Sequence, residues 1–128
     1  MLEGPIGAAS ALKMSYGGIS KGLVFVASVM LLAAGRAGIG DPLAAELSFS
    51  DPRLLEALSR RIPDMLPKAH RWVGEMEEIA RFAETDPAAA ALYRAAAAFY
   101  RRIAADESAA GTESKMLEGF FPRRSPPP

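Results

Sequence analysis

The chain has 128 residues, half of them hydrophobic, with 15 basic and 15 acidic side chains and no formal net charge. That length corresponds to one domain, and the balanced charge argues against a dedicated nucleic-acid surface, which needs a clustered basic excess. No cysteine is present, which excludes disulfides, thiolate nucleophiles and cysteine metal sites and fits a cytoplasmic location.

Glu3 follows directly on Met1 and Leu2 and the apolar run begins late, so no secretory leader is expected. That run, residues 23–34, lies between Lys21 and Arg36. It falls short of the ~20 apolar residues that span a bilayer, so no membrane association is expected. The first helix is predicted over residues 6–37, stopped by Gly38 and Gly40. Its first half is rich in Gly, Ala and Ser and its second half is apolar on every side. Such a helix is expected to be buried all round, with small residues that let a backbone or a ligand come close. Gly17 and Gly18 weaken it locally, by ~1 kcal/mol each relative to alanine.

Three Asp-Pro pairs follow, Asp41-Pro42, Asp51-Pro52 and Asp86-Pro87. An aspartate caps a helix by accepting backbone N–H bonds, and proline suits the first helical position. Each pair is therefore predicted to start a helix: a short one after Pro42, one over residues 52–61 and one over residues 87–105. Ile62-Pro63 is expected to break the chain before a further helix over about residues 67–84. There Leu66, Ala69, Val73, Met76, Ala80 and Ala83 form an apolar stripe at three-four spacing. Lys68, Arg71, Glu75 and Glu78 form the opposite face. In the last helix Leu92, Tyr93, Phe99, Tyr100 and Ile103 are expected to pack. Beyond Asp106 the composition turns to Ser, Gly, Thr and Glu and ends in PRRSPPP, which reads as disordered. The fold class is all-α: a single helical domain, residues 1–106, of about five helices with a long buried first helix, and a disordered tail, residues 107–128.

Little of the chemistry-bearing inventory forms a motif. His70, the only histidine, has Gly74 four residues on, so no HExxH pair exists and no metal site is expected. Arg71 before Glu75 and Arg81 after Glu77 suit ordinary i,i+4 ion pairs. Glycines 17, 18 and 22 do not form GxGxxG and follow no strand. Trp72 reads as core or interface. Lys13 shares a helical face with Ala9, Ser10, Tyr16, Gly17 and Ser20, with Lys21 two turns on. An ammonium in a small, partly dry pocket beside a second cation can exchange protons near neutral pH. The same lysine can equally extend from a helix into water with no further role.

GPIGAASALKMSYGGISKG (residues 4–22) and LPKAHRWVGEMEEIARF (residues 66–82) resemble the C-terminal helical domain of 6-phosphogluconate dehydrogenase-like NAD(P)-binding oxidoreductases. These form the β-hydroxyacid dehydrogenase superfamily, and the likeness, over about residues 4–105, is to a branch whose C-terminal domain has no assigned function. The superfamily signature is GxxGxGxxxKxxxN. Gly4, Gly7 and Lys13 match it, Ala9 stands at the third glycine, and Gly17 at the asparagine that helps hold substrate. The resemblance implies that Lys13 is the catalytic acid–base and that Ser10, Tyr16 or Ser20 could contact substrate in place of the asparagine. Glu77 and Glu78 stand approximately where relatives carry a lysine–aspartate pair facing the nicotinamide. It further implies a homodimer with the first helix at its centre. NAD(P) would be used only together with a Rossmann domain not found among these residues, so the chain alone is expected to show no dehydrogenase activity. The alternative is a non-enzymatic helical dimerisation or interaction module.

Overall fold

The structure, a computed structural model, describes residues 4–121, with side chains from residue 7 onward. Among these residues it is all helical: α1 (Gly4–Arg36), α2 (Gly40–Ser50), α3 (Pro52–Met65), a 3-10 turn (Leu66–Lys68), α4 (Ala69–Phe82), α5 (Pro87–Glu107) and α6 (Thr112–Phe120). Helices α4 and α5 form the most extensive pair, and α1 touches every other helix. Val24, Phe25, Leu31 and Leu32 of α1 meet Leu58, Ile62, Met65, Met76, Phe99, Tyr100, Ile103 and Leu117 in one core.

Two of the three Asp-Pro pairs start helices as the sequence predicts. Asp51 accepts from the Leu54 N–H at 3.2 Å, and Asp86 from those of Ala88 and Ala89 at 3.0 and 3.3 Å. Asp41 does not cap: α2 already begins at Gly40. The reason lies in the end of α1. Gly38 adopts φ +73°, and the Gly38 and Ile39 N–H groups bond back to the carbonyls of Gly35 and Ala34 at 3.1 and 2.9 Å. This doubly bonded glycine turn feeds straight into α2.

Four further expectations are corrected. Pro63 does not break the chain but lies inside α3. Ile62 and Met65 on either side are fully buried, and that burial holds the turn helical at the loss of one backbone bond. Leu92 is exposed rather than packed. Helix α1 is not buried all round, since Leu12, Tyr16, Ile19, Leu23, Val26 and Met30 are exposed. Over Gly7–Arg36 it is long and apolar enough to cross a membrane by length and composition, although in this fold it is the helix that all the others touch. Finally, the segment read as a disordered tail carries α6, with Leu117 and Ser114 buried. The Asp106 carboxylate accepts from the N–H groups of Glu113 and Ser114 at 3.1 and 2.9 Å and from the Ser114 hydroxyl. Burial alone would raise this carboxyl, but those bonds outweigh it and hold it below the usual carboxylate range. The PRRSPPP end, residues 122–128, lies outside the described residues.

Candidate functional site

The middle of α1 is fixed by side chains that bond to its carbonyl groups. The Tyr100 hydroxyl donates to the Lys21 carbonyl at 2.6 Å, and the Arg61 guanidinium to the Ser20 carbonyl at 2.7 Å. Burial pushes the Tyr100 phenol far above its ordinary range, against the opposing charge of Arg61, so it remains a donor. The close approach expected at the small residues is made by side chains of α4 and α5. A Cβ at Gly18 would stand 3.0 Å from the Tyr93 hydroxyl oxygen and 3.5 Å from Ile79. Glycine there lets Tyr93 lie against α1.

This packing opens a cleft of about 260 Å³ between α1 and α4, lined by Lys13, Met14, Tyr16, Gly17, Ser20, Lys21, Glu75, Glu78 and Ile79. The Lys21 ammonium reaches across to the Glu75 carboxylate at 2.6 Å and lies 5.0 Å from the centre of the Trp72 ring. Trp72 in turn packs edge-to-face with Tyr100, centroids 5.2 Å apart. On the far side of that ion pair is a second, wider hollow lined by Lys21, Lys68, Arg71, Trp72 and Glu75.

The structure thus brings Lys13, Tyr16, Ser20 and Glu78 to one cleft. Ser10 is exposed and outside its lining. Glu77 points elsewhere, towards Arg101 at 3.4 Å. The expected helical pairs Arg71–Glu75 and Glu77–Arg81 are not made, because each glutamate is drawn to a cation on another helix. Lys13 is exposed, not enclosed in a dry pocket, and among the described residues it has no ion-pair or hydrogen-bond partner. His70 is exposed, and no group of three metal-ligating side chains occurs among the described residues. The sequence reading missed the bridge from Lys21 to Glu75 and the second hollow. Polar side chains at three-four spacing on both helices were the available signal, but spacing does not say that two faces meet.

The profile of one protein family, a domain of unknown function designated DUF1932, matches residues 34–103, more than half of the chain. The chain belongs to the DUF1932 family. The DUF1932 match includes the α4 wall of the cleft, Glu75, Glu78 and Ile79, and begins after Lys13, Tyr16 and Ser20 on α1. No curated protein and no solved structure matches the chain.

Proposed function

We propose that this DUF1932 domain is the C-terminal, substrate-side and dimerisation domain of an NAD(P)-dependent hydroxyacid-type oxidoreductase, inactive without a Rossmann domain. The observation that carries the reading is Lys13, which has no partner among the described residues and lies at a cleft that also offers the side chains of Tyr16 and Ser20. Its position in the GPIGAASALK block agrees with the resemblance of that block to the superfamily signature. The α1 glycines sit inside a helix, not on a strand–loop–helix turn, so they are not suited to hold a pyrophosphate; the residues present suit only the substrate side. A nicotinamide cofactor held by the Rossmann domain would supply the hydride acceptor for the carbinol carbon. Lys13, as the neutral amine, would take the hydroxyl proton to become the ammonium and would return it in the reverse direction, and Tyr16 and Ser20 would orient the substrate. A covering domain would exclude the water that Lys13 meets in the isolated chain.

The test is a fusion to a dehydrogenase Rossmann domain, assayed for NAD(P)-dependent turnover of short hydroxy acids. Lys13→Ala should lower the rate by about 10²–10⁴-fold. A fusion that turns over equally well with alanine at position 13 would remove Lys13 from the chemistry.

A second reading, a helical module that only associates, is favoured by one observation. The exposed side chains Leu12, Tyr16, Ile19, Leu23, Val26 and Met30 recur at the four-three spacing of a coiled-coil seam. Helix α2 extends that surface: it buries none of its residues, and Leu43 and Leu47 share an apolar groove with Leu23, Val26 and Met30. Both readings call for a homodimer centred on α1. Ile19→Asp with Val26→Asp should convert it to monomer in sedimentation velocity.

A further inference from the structure

We propose that the hollow bounded by Lys21, Lys68, Arg71 and Trp72 is an oxyanion subsite, taking a phosphate or carboxylate group of the substrate with Arg71 as its anchor. Assigning the anion to the substrate rests on the proposed oxidoreductase reading; the anion site itself does not.

The lining holds three cations and one carboxylate. That carboxylate, Glu75, is committed to Lys21 at 2.6 Å, and Lys68 leans on Asp64 at 2.9 Å, outside the lining. Arg71 has no ion-pair partner among the described residues. This is a consequence of the fold. In an isolated helix Glu75 would be the i+4 partner of Arg71, but α1 packs so that Lys21 takes it. A guanidinium with its fork of donors free is left at the hollow, the geometry that recognises planar and tetrahedral oxyanions.

One further feature favours an anion there. The wall is held in place before any ligand arrives: Trp72 is held between the Lys21 ammonium and the Tyr100 ring, so ordering the Arg71 side chain is the main cost left to binding. The hollow, about 530 Å³, exceeds the needs of one phosphate. It shares Lys21 and Glu75 with the Lys13 cleft. A substrate anchored by its anion at Arg71 would therefore extend past the ion pair towards Lys13.

Trp72 is the only tryptophan, so the emission of the purified chain reports on this hollow directly. It would be titrated with sodium phosphate and with sodium malonate at constant ionic strength held by sodium chloride. A saturable change with either anion is expected, and the stronger binder shows whether the natural group is a phosphate or a carboxylate. Arg71→Gln should weaken that binding about tenfold, as expected for a charge-assisted contact, whereas Arg53→Gln, the same charge change on an exposed part of α3, should not. Both variants alter exposed side chains, and unchanged far-ultraviolet circular dichroism checks their folding. No saturable response to either anion, or equal weakening by the two variants, overturns the subsite. Anion binding that survives while the fusion shows no NAD(P)-dependent turnover would leave the subsite standing and remove the dehydrogenase reading.

Discussion

Helix α1 meets a carboxylate at two places, and the surroundings of the two contacts differ. Lys21 reaches Glu75, and Arg36 reaches Glu113, both at 2.6 Å. Around Glu113 the groups are mutually satisfied. It also accepts from Arg102 at 2.9 Å, Asp106 caps α6 beside it, and Gly35 leaves room for Met116, whose terminal methyl would be 3.1 Å from an added Cβ. Around Glu75 a positive excess remains, with Lys13 and Arg71 unpartnered among the described residues. The Arg36–Glu113 contact closes a corner between α1, α5 and α6. The Lys21–Glu75 contact divides two hollows and leaves donors facing them. An identical pairing distance therefore says little about role; the saturation of the neighbouring groups distinguishes a structural corner from a binding surface.

Substitutions at four positions can break or sharpen that contrast. The largest effect is expected at Leu117, fully buried under the corner. Leu117→Ala should cost about 2–5 kcal/mol in urea unfolding, and a loss below about 1 kcal/mol would mean that α6 is not part of the cooperative unit.

Next is the cap itself. Asp106→Ala removes the acceptor of two backbone N–H groups and should cost about 1–2 kcal/mol. Because the folded carboxyl titrates below its unfolded value, its contribution is fully present above the ordinary range near ~3.9 and fades as pH falls through the lower folded value. Thermal unfolding followed from neutral pH into acid should therefore show a shallower acid loss in Asp106→Asn than in the parent chain. Equal slopes would exclude Asp106 as the group responsible.

At the cleft the effects should be smaller. Glu75→Gln breaks a partly exposed pair and should cost about 1 kcal/mol or less, with the difference shrinking at high salt. Lys13→Ala should leave stability within about 0.5 kcal/mol of the parent. A larger loss at Lys13 would give it a structural role and erase the contrast between the two ends of the molecule.

Much of the fold was legible because its signals are local. The α4 stripe worked for Leu66, Ala69, Met76 and Ala80, all buried, since three-four spacing on one helix needs only one neighbouring surface. The tail misled because its Ser, Gly, Thr and Glu are the ordinary composition of a loop. Within them Met116, Leu117 and Phe120 make a short apolar face that means nothing until α5 and α1 are beside it. At the cleft, Lys13, Tyr16 and Ser20 were legible from spacing on α1 together with the resemblance. Glu77 and Glu78, adjacent in sequence, diverge by about 100° around a helix; only Glu78 lines the cleft, and Glu77 turns towards α5.

By itself the sequence determined the helix starts at Asp51 and Asp86, the end of α1 at Gly38 and the all-α class, because caps, glycine turns and periodicity act within a few residues. Only the tertiary structure decided the partner of Glu75. Lys21 lies 54 residues away, and at that separation three-dimensional packing, not helical spacing, sets which charges meet. The same holds for the helical Pro63, held by burial of its neighbours, and for the exposed apolar row on α1. That row carries the same residue types as the buried face and differs from it only in what the other helices happen to cover.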